Sequence, residues 1–155
     1  MHFTLREPTP QDWPGILALA DLASPWKSGD NPDWLENRKQ AGTKGAVRFQ
    51  LLAETVPGQP VGYAALEAGD RPGWLRVFLV VAPGQLNTVG EQLYRRLEVE
   101  CQRIGPTGVW LREEPGDAEL LDFFANQGFI ETYRGPTAGG LEIVVMECRS
   151  RSHGD

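Results

Sequence analysis

Apolar side chains recur along this chain with two periods, and the switches between them predict its elements. Phe3 to Arg6 alternates as a short strand. Thr9 then stands as a helix cap, Pro10 occupies the first helical position and Asp12 can answer Thr9 in a short capping box. Trp13, Ile16, Leu17 and Ala20 follow at helical spacing and predict one buried face. The stretch from Ser24 to Ala46 carries Pro25, Gly29, Pro32, Gly42 and Gly45 and reads as mostly loop, with a short helix from Asn31 to about Gln40. Period two then returns in Val47 to Val56, Val61 to Glu67 and Trp74 to Val81, separated by two turn sequences rich in proline and glycine. These three strands are expected to form an antiparallel meander. In the third, Leu75, Val77, Leu79 and Val81 share one face, with Trp74, Arg76, Phe78 and Val80 on the other. Both faces are largely apolar, which predicts a central strand covered on both sides.

The second half alternates more evenly. A long helix is expected from about Thr88 to Ile104, with Val89, Leu93, Leu97 and Cys101 as its buried stripe and Glu91 and Arg95 as an i, i+4 ion pair. Gly105 and Pro106 end it. Val109 to Arg112 is a strand, Ala118 to Asn126 a helix, Phe129 to Arg134 a strand, Gly135 to Gly140 a hairpin loop at the far edge of the sheet, and Leu141 to Cys148 the last strand. The order β-α-α-β-β-β-α-β-α-β-β predicts an α+β fold, a central mixed β-sheet flanked by helices on both faces. Residues 1–148 are expected to make a single domain, with 149–155 a polar tail.

Composition narrows the function classes. The net charge of −6 over 155 residues argues against phosphate-backbone binding, so no nucleic-acid partner is expected, and it weakly favours cationic partners such as amines. Cys101 and Cys148 share no metal-ligand spacing and have no histidine neighbours, so no metal site is expected. His2 and His153 are terminal, which leaves no internal histidine for a Ser-His-Asp or Cys-His mechanism. The first residues hold no signal-peptide core, and no apolar run reaches the roughly 18 residues of a membrane helix. A reduced, cytoplasmic protein without a membrane partner is the expectation.

Two local motifs carry chemistry. The first is Val81-Ala82-Pro83-Gly84-Gln85-Leu86-Asn87-Thr88-Val89-Gly90-Glu91, at the end of the third meander strand and the start of the long helix. The second is Leu120-Leu121-Asp122-Phe123-Phe124-Ala125-Asn126-Gln127-Gly128-Phe129. With the element order they resemble the GNAT superfamily of acyl-CoA-dependent N-acyltransferases, over roughly Phe3 to Cys148. The first motif resembles the family's Val-x-Pro followed by Arg/Gln-x-x-Gly-x-Gly/Ala, where amides at a helix start hold the CoA pyrophosphate and glycines permit close approach. The strand edge offers main-chain groups to the pantetheine arm. The loop is one residue short: the Arg/Gln position falls near Leu86, the earlier glycine becomes Asn87 or Val89, and Gly90 serves as the last glycine. The second motif resembles aliphatic-x-x-Phe-Tyr-x-x-x-Gly-Phe, whose tyrosine stands near the leaving thiolate; here that position is Phe124, which has no proton to give. The asparagine that often precedes this helix is Asp117.

The resemblance implies acetyl-CoA as cosubstrate, held by Leu79, Val80, Val81, Leu86, Asn87, Thr88, Val89, Gly90, Glu91, Asp117 and Phe124. Phe124 reads equally as a core aromatic. It also implies acetyl transfer to an amine of a small molecule or a peptide, with main-chain N–H near Val81 polarising the thioester. Glu54 and Glu67 are candidate general bases, with Glu113 a third; each also reads as an ordinary surface carboxylate. Tyr63 and Tyr133 are alternative proton handlers. Trp26 and Trp34 fall in the segment that the resemblance places over the acceptor site, where they would frame an amine or simply pack. The alternative to an enzyme is a catalytically degenerate module that binds acyl-CoA or a protein partner without turnover. The last strand is compatible with a homodimer, in which it extends a partner's sheet, and with pairing at home.

Overall fold

A computed structural model describes residues 2–23, 47–56, 58–69 and 71–150. The short helix expected near residues 31–40, with Trp26 and Trp34, lies outside the described residues. The described elements are β1 (Thr4–Arg6), a 3₁₀ turn (Pro10–Asp12), α1 (Trp13–Ala23), β2 (Val47–Glu54), β3 (Pro60–Ala68) and β4 (Trp74–Val81). A wide turn (Leu86–Gly90) then runs into α2 (Glu91–Ile104), followed by β5 (Gly108–Glu113), α3 (Ala118–Asn126), β6 (Ile130–Pro136) and β7 (Glu142–Arg149). The strands make one seven-stranded sheet in the order β1-β2-β3-β4-β5-β7-β6. Among the described strands only β4 and β5 run parallel; every other pair is antiparallel. The sheet is therefore mixed, with the expected meander in β2 to β4 and the β6/β7 hairpin at its far edge. β7 continues through Arg149, one residue into the stretch expected to be tail.

The alternation in β4 sorts the core. Phe78 and Val80 meet Trp13, Ile16 and Ala20 of α1 on one face. Leu75, Val77 and Leu79 lie on the other, with Leu93 and Leu97 of α2 and Leu120 and Phe124 of α3. Both faces of β4 are thus covered, as two apolar faces require. In β2 the register passes from Val47↔Glu67 to Phe49↔Leu66, so Arg48 is an extra residue. One extra residue reverses the side chains before it, and Val47 accordingly packs with the α1 cluster while Leu51 and Ala53 face α2.

At the start of the first helix, the Asp12 carboxylate accepts from the Thr9 N–H at 2.6 Å and from the Thr9 hydroxyl at 3.1 Å. The first turn is thereby closed from the side chain, and Trp13 is set down on the sheet at 4% exposure. The long helix ends as its sequence demands, at Gly105, with φ of 75° and its N–H bonded to Cys101 O at 2.8 Å.

Candidate functional site

The two edges of β4 are treated differently. Its β3 edge is paired from Leu75 to Val81. Its β5 edge is paired only at Trp74↔Gly108, Leu75↔Val109 and Arg76↔Trp110, whereas β5 pairs with β7 along its whole length. Beyond Arg76 the two parallel strands part. The Ala82 N–H bonds Val61 O at 2.9 Å. In an antiparallel ladder alternate residues turn their main-chain groups to the partner, so Val80 and Phe78 face β3 while Leu79 and Val81 present N–H and C=O to the opening. A cleft of about 230 Å³ occupies it, lined by Ala23, Leu79, Val81, Ala82, Pro83, Gly84, Leu86, Asp117, Glu119 and Leu120.

The loop that closes one end of this cleft leads into α2. Gly84 takes φ of 81°, a left-handed bend that glycine accepts at no steric cost. Gln85 then holds the turn. Its N–H bonds Ala82 O at 3.0 Å, and its carbonyl accepts from Thr88 N–H at 3.3 Å and from Gly90 N–H at 3.2 Å. Its side-chain oxygen takes the Thr88 hydroxyl at 2.9 Å. The Leu86 and Asn87 amides find no acceptor among the described residues, as the first amides of a helix do not. Asn87 and Thr88 are exposed, and Leu86, Val89 and Gly90 are buried.

Two glycines let this helix start lie close to the strand end. A Cβ on Gly62, the β3 residue opposite Val81, would stand 2.6 Å from Leu93 Cδ1 and 2.8 Å from Val89 Cγ1. A Cβ on Gly90 would stand 2.9 Å from Leu86 Cδ1 and 3.4 Å from Val81 Cγ2. Neither Gln85 nor Gly62 stands among the site residues expected from sequence. The signal for Gln85 was the shortened loop: counted from Gln85, Thr88 and Gly90 stand at the third and fifth following positions, the Arg/Gln-x-x-Gly-x-Gly spacing with threonine for the first glycine. Leu86 turns its side chain inward instead.

The remaining expected residues divide. Leu79, Val81, Leu86 and Asp117 line the cleft, and Asp117 also caps α3 by accepting from Leu120 N–H at 3.3 Å. Val80 points to the α1 face. Glu91 pairs with Arg95 at 2.5 Å on the exposed side of α2. Phe124 packs in the core as an aromatic of the α2/α3 face. The ring is 1% exposed and packs edge-on against Phe129, Phe123 and Tyr94 at centroid distances of 5.2, 5.4 and 6.0 Å. Burial pushes the neighbouring Tyr94 hydroxyl well above its ordinary range.

The carboxylates separate just as clearly. Glu54 is held by Arg6, Nε to Oε1 at 2.7 Å and Nη2 to Oε2 at 3.1 Å, and by the Gly58 N–H at 3.2 Å. Arg6 also grips Asp12 at 2.7 and 2.8 Å. The guanidinium lowers the Glu54 carboxyl below its usual range and that of Asp12 to about 2. A group so held is a poor proton acceptor, and Glu54 does not line the cleft. Glu67 lies opposite Arg76, five residues along β3 from Gly62, which is roughly 17 Å at strand rise. Glu113 is buried at the end of β5, on the far arm of the opening. Tyr63 is buried on the α1 face with its hydroxyl bonded to Gln50 at 2.9 Å, and Tyr133 lies exposed on edge strand β6. Among the described residues, Asp117 and Glu119 are the carboxylates that line the cleft. Among the described residues no three His, Cys, Asp or Glu side chains gather as a metal site would need, and no helix is long and apolar enough to cross a membrane.

Neither a family model nor a curated protein matches this sequence. Solved structures do match the fold. An acetyltransferase of the GNAT family from Staphylococcus aureus Mu50 superposes with a TM-score of 0.77 at 17% identity, over 96% of this chain and 99% of that one. The ribosomal-protein-alanine N-acetyltransferase of Brucella melitensis gives 0.72 at 24% identity, over 95% and 99%. The PaiA N-acetyltransferase of Thermoplasma acidophilum, in complex with coenzyme A, gives 0.70 at 15% identity, over 97% and 100%. The parted parallel strands, the helix start beside them and these superpositions together identify the architecture as that of the GNAT acetyltransferases.

Proposed function

We propose that this chain is an acetyl-CoA-dependent N-acetyltransferase acting on an amine of a small molecule or a peptide. The observation that carries the reading is the free β5 edge of β4 at Leu79 and Val81, beside a helix start that glycines hold against it. The main-chain groups of Leu79 and Val81 hold the pantetheine arm as an added strand would. The Leu86 and Asn87 amides, with the positive end of α2, hold the pyrophosphate, and Gln85 fixes their turn. Acetyl-CoA supplies a thioester, whose C–S bond breaks as the amine nitrogen bonds to the carbonyl carbon. The Val81 N–H meets the carbonyl oxygen as it gains negative charge. Asp117 and Glu119 draw a cationic amine to the cleft, and the proton it loses passes to them or to water. Positioning the two reactants supplies most of the rate.

A second reading is favoured by Phe124. With that ring in the core, the thiolate leaves without an aromatic hydroxyl to protonate it. A missing general acid costs about 10²–10⁴-fold, so turnover survives but slowly, and a module that binds acyl-CoA without turnover is the competing reading.

Binding and turnover are tested separately. Acetyl-CoA at a hundred times its Kd stabilises a protein by about 2.7 kcal/mol, which a thermal-shift assay registers; no shift at millimolar acetyl-CoA sinks both readings. Asn87→Asp is the selective probe. A negative charge in the first turn suits the helix but repels a pyrophosphate, so Tm holds while Kd rises at least about tenfold. Gly90 is unsuited to that test, because any side chain there meets Leu86 and Val81. Release of CoA thiol with a panel of primary amines distinguishes the enzyme from the binding module.

A further inference from the structure

The closed end of the β4/β5 opening is built as deliberately as the open end. Trp74, Gly108 and Arg149 form one cross-strand row and Arg76, Trp110 and Glu147 the next, and residues in such rows share a face of the sheet. On that face the Trp74 indole lies across β5: a Cβ on Gly108 would come within 2.6 Å of the ring. Arg71, in the turn before β4, covers the joint. Its guanidinium carbon is 4.2 Å from the centre of the Trp74 ring and 5.6 Å from that of Trp110. Its Nη1 is 3.2 Å from Glu147 Oε2. One side chain therefore touches β4, β5 and β7 where the two parts of the sheet meet.

That joint consists of three parallel pairs, a short ladder of the less stable kind. Val81 stands five residues beyond its last pair, roughly 17 Å along the strand, so a small change of angle at the joint is magnified at the cleft. We propose that Arg71, stacked on Trp74 and Trp110, is a positioning residue that pins the closed end of this wedge and so sets the width at which Leu79 and Val81 meet the thioester arm. The inference rests on the acyl-CoA reading above.

The test is calorimetric titration of the full chain with acetyl-CoA, at a temperature where circular dichroism shows every protein folded. Wild type is titrated first; if it does not bind, the acyl-CoA reading falls and the pin with it. If it binds, Arg71→Ala is expected to weaken affinity about fivefold, the scale of a partly exposed cation–π contact. Arg71→Lys keeps the charge toward Glu147 but loses the planar stack, and is expected to weaken it about threefold. Ile16→Val, which removes a buried methyl group on the α1 face, lowers Tm without changing affinity. Arg71→Ala binding as tightly as wild type overturns the pin alone, as does Ile16→Val weakening binding equally. Should Arg71→Ala fail to fold, Arg71→Lys decides, and wild-type affinity there overturns the pin.

Discussion

The two edges of β4 have the same residues and opposite fates. Toward β3, seven consecutive residues are paired and the ladder runs to the strand end. Toward β5, three are paired, and beyond them Leu79 and Val81 line a cleft. Buried main-chain N–H and C=O groups must find partners. On the β3 edge they find another strand and contribute stability. On the β5 edge those of Leu79 and Val81 pair with no strand. Side-chain burial does not distinguish the edges, since Leu79 and Val80 are each 1% exposed. What distinguishes the paired edge from the open one is where the neighbouring strand goes.

This contrast can be broken first from its paired side. Tyr63 is fully buried on β3, with Trp13 and Phe78 edge-on to its ring at 5.8 and 6.0 Å. Tyr63→Ala is expected to cost about 3–5 kcal/mol and to lower Tm by roughly 10 °C, read by calorimetry, while the folded protein keeps its affinity for acetyl-CoA. Loss of affinity in proportion to stability would mean that the two edges are not separable. Gly62→Ala sharpens the contrast, because its new methyl group arrives on the paired edge and is felt on the open one. Overpacking against Val89 and Leu93 costs about 1–2 kcal/mol and lifts the first turn of α2, so acetyl-CoA affinity falls several-fold at a modest change in Tm. Unchanged affinity would show that the helix start need not lie so close.

The smallest effect lies farthest from the opening. Asp12 and Glu54 titrate below their unfolded values because Arg6 binds both. A lowered carboxyl pKa contributes stability that is present above the unfolded value near 4 and fades as pH falls through the folded one, here to about 2 for Asp12. Wild-type Tm should therefore drop between about pH 4 and 2. Asp12→Asn should flatten that slope and cost about 1 kcal/mol at neutral pH, the scale of a solvent-screened pair. An unchanged slope in a Tm scan against pH would remove the Asp12 carboxyl as its source.

Much of the architecture is legible in the amino acids, because the forces that write it are local. Alternation in Trp74 to Val81 marked a strand covered on both sides, and the structure places helices there. Gly105 marked a helix end, and Asp117 a helix start that its carboxylate does cap. The site is legible only in part. Leu79, Val81, Leu86 and Asp117 reach the cleft, whereas Glu54 is drawn to Arg6, forty-eight residues earlier, and Phe124 to rings on α2 and α3. A carboxylate on a strand end looks the same in sequence whether a guanidinium or a substrate lies beside it.

The chain by itself determined the kind, order and apolar faces of its elements, since propensity, periodicity and turn chemistry act within a few residues. Only the tertiary structure decided that β4 and β5 part after Arg76, that Gln85 rather than Leu86 holds the loop, and that Gly62 admits the helix start. Those depend on which distant surfaces meet: β5 follows β7 because their backbones pair from end to end, and the opening is what remains between that pair and β4.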